Sequence, residues 1–178
     1  MKMKRLGYGI IIMSALVLLN ACAGITIQDN PGASFQVNTW VNQTPPLKVG
    51  DLLLAMVKAD RNCYLHVYYL SGSGIIRQIF PDTRMAANWV SGGIEHIIPP
   101  SGGNYNLSLK SPPMQETIMA VATLEAVRLL PADRIDYAGV IPVVNMTEDE
   151  FNAAIKKSLD RLLPTAWAVD MTHFTYAP

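Results

Sequence analysis

Cys63-Tyr64-Leu65-His66-Val67-Tyr68-Tyr69-Leu70, then Ser71-Gly72-Ser73-Gly74, then Ile75-Ile76-Arg77-Gln78-Ile79-Phe80: this stretch decides the fold. Two apolar runs, joined by four small residues, read as a β-hairpin. Asp60-Arg61-Asn62 is a turn cluster before the first run, and Pro81-Asp82 ends the second. The same grammar continues on both sides. Phe35, Val37, Thr39 and Val41 alternate onto one face, and Asn42-Gln43-Thr44-Pro45-Pro46 breaks that run. Leu52 to Val57, Ile94 to Ile98, Tyr105 to Leu109 and Thr117 to Ala122 are further strand candidates. Turn signals recur about every 10 residues, which argues for an antiparallel sandwich or barrel and against alternating βαβ units.

One helix interrupts the pattern. Thr147-Glu148-Asp149-Glu150 has the form of a capping box, and acidic residues in a first turn suit the helix dipole. Phe151, Ile155, Leu159, Leu162 and Leu163 form an apolar stripe, with Lys156, Lys157, Asp160 and Arg161 off it, and Pro164 stops the helix. The stripe either packs on the sheets or docks a partner. A last strand, about Thr165 to Tyr176, puts Trp167, Val169 and Met171 on one face. The expected fold is mainly β: an Ig-like antiparallel β-sandwich with one C-terminal amphipathic helix and a final strand.

The N-terminus carries a different message. Lys2, Lys4 and Arg5 precede an apolar run from Leu6 to Leu19, then Asn20-Ala21-Cys22. A basic start, an apolar centre and small residues before a cleavage point make a secretory signal. The run of about 14 residues is short of the about 20 that a spanning helix needs. Leu19-Asn20-Ala21-Cys22 resembles the lipobox of bacterial lipoproteins. Asn20 departs from the usual Ser, Ala, Thr or Val, so an ordinary cleaved signal is the competing reading. The resemblance implies diacylation of Cys22 and removal of residues 1–21. Ala23, in place of aspartate, implies sorting to the outer membrane, facing the periplasm. Ala23 to Ser34 is small and polar, so residues 22–34 read as a lipidated tether and residues 35–178 as the β-sandwich domain.

Charge narrows the partners. There are 14 basic and 14 acidic residues, and losing Lys2, Lys4 and Arg5 leaves a net charge of −3. No basic run follows the signal, which argues against nucleic-acid binding. With Cys22 lipidated, Cys63 is the odd cysteine: buried and inert in its strand, or paired between chains.

Nothing in the sequence reads as a catalytic constellation. There is no Gly-x-Ser-x-Gly motif. Cys63 and His66 are three apart, which in a strand puts them on opposite faces. His66, His96 and His173 could supply zinc only by converging in space. Gly72-Ser73-Gly74 reads as a turn and not a phosphate cradle, since no helix follows it. No cofactor and no metal are expected. Tyr64 and Tyr68 share one face of their strand, with Tyr69 on the other and expected to be exposed.

The central motifs also resemble a known family. Val49-Gly50-Asp51, Lys58-Ala59-Asp60-Arg61, Tyr64-Leu65, Ile79-Phe80-Pro81-Asp82, Asn88 with Gly92-Gly93, Ile98-Pro99 and the strand containing Glu116 resemble the bacterial domain of unknown function 4384 across about Phe35 to Thr123. The chain departs from the family at Cys63 and at Met114-Gln115. The resemblance implies no established reaction. It implies an adaptor or recognition module, found in secreted lipoproteins and appended to kinases, peptidases and repeat proteins. Val49-Gly50-Asp51 then reads as a turn held by Asp51, and neither Asp51 nor Asp60 as a metal ligand. The expected function is a non-catalytic outer-membrane lipoprotein that binds another envelope protein, as in a secretion machine. Trp89, on the loop from Ala86 to Gly93, is either tucked into the core or an exposed anchor. With Tyr69 it is the expected partner-binding pair. The alternative is a periplasmic lipoprotein that binds a small ligand or glycan in an apolar pocket of Tyr, Trp and Met.

Overall fold

The computed structural model describes residues 27–41, 47–100, 107–109 and 114–177. The signal segment 1–21, Cys22 and the break at 42–46 lie outside the described residues. Strands β1 (Val37–Val41), β2 (Leu47–Lys48), β3 (Leu52–Leu53) and β4 (Ala55–Ala59) precede the hairpin of β5 (Cys63–Leu70) and β6 (Ile76–Phe80). Then come β7 (Trp89–Val90), β8 (Glu95–Ile98), β9 (Leu107–Ser108) and β10 (Gln115–Thr123). The chain closes with β11 (Ile135–Asp136), β12 (Val143–Val144), the helix α1 (Glu148–Leu159) and β13 (Trp167–Ala177).

The expected hairpin forms. Ser71 N donates to Ile75 O, and Gly74 takes a φ of +84, which a residue without a Cβ adopts at no steric cost. Around it runs one large sheet, ordered β11-β12-β6-β5-β10-β13-β2, with β7 added beside β5. Its pairs are antiparallel except β13 with β2. A second sheet, β1-β4-β8, packs against it, and β3 pairs with β9. The molecule is mainly β and sandwich-like, as the turn spacing implied.

Both faces of the large sheet are buried. Ile118, Ala120 and Ala122 of β10 join Val37, Ala55 and Val57 in a core shared with the small sheet. Met119 and Val121 point the other way, to Phe151, Ile155 and Leu159 of α1. A strand covered on both sides reads as a continuous apolar run, which is why 118–122 shows no polar alternation. The helix stripe therefore faces the sheet.

Thr147 Oγ1 accepts from Glu150 N at 3.3 Å, and Glu150 Oε2 accepts from Thr147 N at 2.9 Å. The capping box is formed as read. Leu163 is a correction: it is 69% exposed. The helix ends at Leu159, so helical periodicity no longer governs where residue 163 points. The tether reading also changes from Ile27 onward. Ile27 is buried, Asn30 Nδ2 donates to the carbonyls of Pro164 and Trp167, and Ser34 Oγ donates to Thr165 O. Few apolar residues were needed, because these hydrogen bonds fasten the segment to the turn before β13. Among the described residues, no helix is long and apolar enough to cross a membrane.

Candidate functional site

Strand β5 places Tyr64, His66 and Tyr68 at alternate positions on its helix-facing side, and they occupy three different environments. Tyr68 is fully buried, with the edge of Phe151 at 5.0 Å between ring centroids. Tyr64 meets Trp89 of β7 in an edge-on contact at 4.8 Å. His66 lies between them, its ring parallel to Tyr68 at 6.5 Å. Trp89 is 52% exposed, so it is not a core residue, and β7 interrupts the loop that was expected to carry it.

Beside this row opens a cavity of about 510 Å³. Its floor is His66, Tyr68, Gln78 and Asn88, and Arg128 and Tyr137 line it from the later part of the chain. A bulge in the β5–β6 pairing helps to build it. Val67 pairs with Phe80 but Tyr68 pairs with Gln78, so Ile79 is the extra residue. Ile79 and Phe80 therefore both enter the sandwich core, while Gln78 stays on the helix side.

The floor is polar and incompletely paired. Asn88 Nδ2 lies 3.2 Å from His66 Nε2, and Gln78 Nε2 donates to Pro81 O at 2.8 Å. Neither His66 Nδ1 nor the Tyr68 hydroxyl, both buried, has a partner among the described residues. An unpaired buried polar group costs about 1–3 kcal/mol, and native folds leave few of them. Burial holds the His66 pKa down to about 4, so the imidazole is neutral at physiological pH. Burial pushes the Tyr68 ionisation far upward, with a smaller push from Tyr137. Arg128 is exposed and takes part in neither of the two ion pairs among the described residues. Among the described residues, no acidic side chain lines the cavity. It differs from the apolar Tyr, Trp and Met pocket that the ligand-binding alternative called for: two tyrosines are present, and among the described residues neither Trp nor Met contributes.

The other candidates fall elsewhere. Tyr69 faces the sandwich core, half-buried and not exposed, because β5 is covered on both sides. Burial and a hydrogen bond to Glu116 drive its ionisation up. Cys63 is buried in the same core, on the face opposite His66, and burial with some help from Asp60 pushes its thiol to about 11. His96 is on β8, and His173 on β13 pairs with Thr117 Oγ1 at 2.8 Å. Among the described residues, no three of His, Cys, Asp and Glu come close enough to hold a metal. Asp51 accepts from Lys48 N as a turn brace, and Asp60 accepts from Gln36 N, tying the end of β4 to the start of β1. Sequence reading gave Gln78 no role and quoted Asn88 only for the family resemblance. For Gln78 the available signal was a polar residue at an inward position of an apolar strand; Asn88 precedes β7 and carries no such signal.

Residues 46–126 match the family model described as Domain of unknown function (DUF4384). The match takes in Trp89 and the cavity floor and stops short of Arg128, Tyr137, α1 and β13. No curated protein and no solved structure matches the chain.

Proposed function

For a chain that carries a DUF4384 domain at residues 46–126, we propose a lipid-anchored, non-catalytic recognition role in the bacterial envelope. Cys22 holds the acyl chains, the outer membrane is the anchoring surface, and the domain faces the periplasm. Two or more chains are needed for stable anchoring, since each buried methylene contributes about 0.8 kcal/mol. The domain binds another envelope protein, within a multiprotein assembly such as a secretion machine.

The observation that carries this reading is Trp89. A large aromatic, 52% exposed and braced by Tyr64, is the kind of side chain that anchors protein interfaces. Its contact area is pre-ordered, so little side-chain entropy is lost on binding. Tyr69, half-buried and bonded to Glu116, is left a supporting part at most.

Crosslinking and mass spectrometry in native membranes tests the role, comparing wild type with Trp89→Ala and Cys22→Ser. Crosslinks from the β7 region to one envelope protein, lost in Trp89→Ala, support it. Loss of fatty-acid labelling and of membrane fractionation in Cys22→Ser supports the anchor. A wild-type protein that stays unlabelled and soluble, or a crosslink pattern indifferent to Trp89, refutes the corresponding half.

A further inference from the structure

We propose that the turn after α1, residues 160–166, rests on the lipid bilayer that anchors the chain, with Leu163 dipping into it. This contact requires the acyl anchor at Cys22 proposed above. Chain length limits which part of the domain can reach the membrane. Cys22 and Ile27 are five residues apart in the sequence, so the chain between them spans at most about 18 Å. Ile27 is fixed to the domain, buried in the core it shares with α1. A folded unit of about 150 residues has a radius of gyration of about 15 Å and is therefore about 40 Å across. The anchor thus holds one end of the domain at the bilayer, the end where Ile27 sits. That end carries the turn. Ile27 shares a hollow with Leu159, Asp160 and Trp167, and Asn30 Nδ2 donates to Pro164 O at 2.6 Å and to Trp167 O at 2.8 Å.

Leu163 suits that position. At 69% it is the most exposed large apolar side chain among the described residues, and a bilayer removes its surface from water. Lys157 and Arg161 are exposed and take part in neither ion pair among the described residues. Their long stems let the charged ends stay with lipid phosphates. Asp29 is exposed on the entering segment, so charge contributes less than the leucine. Ile75 supplies the contrast. It is 45% exposed, but it belongs to the hairpin turn after Leu70. Tyr64 shares a row with Thr123 and Trp167, and Leu70 lies six residues farther along β5. At about 3.4 Å per residue, the hairpin turn is about 20 Å farther from the anchored end.

The test uses the full lipidated chain in vesicles of phosphatidylethanolamine and phosphatidylglycerol, with a fluorescent reporter on Thr165→Cys or on Ile75→Cys. Thr165 is exposed beside Leu163. Cys22 carries its lipid and Cys63 is buried, so the introduced thiol alone takes the label. A quencher carried on the lipid acyl chains should dim the Thr165 reporter and leave the Ile75 reporter bright. Leu163→Asp should lower the docked population about tenfold or more and bring the Thr165 reporter to the Ile75 level. Its thermal midpoint should not move, since the side chain is exposed. Equal quenching at both positions, or no effect of Leu163→Asp, in protein that still carries fatty acid and floats with the vesicles overturns the contact and leaves the anchor standing. Wild-type protein without fatty acid that does not float overturns both.

Discussion

Acidification should destabilise this protein through His66 in particular, by an amount the structure sets. The imidazole is 8% exposed, its Nε2 is next to the Asn88 amide, and one face is stacked on Tyr68. Burial strips water from the ring and so disfavours its charged form. The pKa is therefore lowered from 6.5 to about 4 on folding. Between those values the unfolded chain binds more protons than the native one, so stability falls as pH falls. The contribution is whole above pH 6.5 and lost as pH passes through about 4. At 1.36 kcal/mol per pKa unit, the shift from 6.5 to 4 takes away about 3 kcal/mol by pH 4. That is a large fraction of the about 5–15 kcal/mol that holds a typical domain. The assay is urea denaturation of wild type and His66→Gln across that pH range, because the difference between them cancels the other titrating groups. Wild type should lose about 3 kcal/mol relative to the variant. If the difference stays constant within about 0.5 kcal/mol, the imidazole is solvated in the native state, and the argument from burial fails.

Cys63 should resist a maleimide at mildly alkaline pH in the native protein and react at once in denaturant, because burial keeps its thiol protonated up to about 11; equal rates in both states would refute its burial. Phe151→Ala should cost about 3–5 kcal/mol by urea denaturation, since the ring is fully buried against Tyr68, while Leu163→Ala, at an exposed position, should stay within about 0.5 kcal/mol. Thr147→Ala should cost about 1 kcal/mol in the same assay by opening one arm of the capping box.

The site was legible only in parts. Tyr64 and Tyr68 read as neighbours on one face, and they are. The difference in their surroundings was not legible, because one lies under α1 and the other against β7, elements far off in the chain. Tyr69 read as exposed under the assumption that one face of β5 meets solvent. A sheet buried on both sides removes that assumption. Strands β11 and β12, of two residues each, were not read at all. Segments so short carry no periodicity; β12 exists because β6 offers it an edge, and β11 because β12 does. Alternation from Ile76 puts Gln78 on the helix side, as found, but it would put Phe80 there too, and only the bulge at Ile79 turns Phe80 into the sandwich core.

Local chemistry along the chain was enough to specify the longer strands, the hairpin and the capped start of the helix. Alternation, a glycine turn, a threonine with a glutamate three residues on, and a proline all act within a few residues of themselves. The three-layer stacking and the cavity came from folding. His66, Asn88, Arg128 and Tyr137 meet across more than 60 positions of chain. That meeting depends on the order in which β6, β5 and β10 pair and on α1 covering the back of the sheet. No single segment encodes either, because both follow from how several apolar faces can be buried at once.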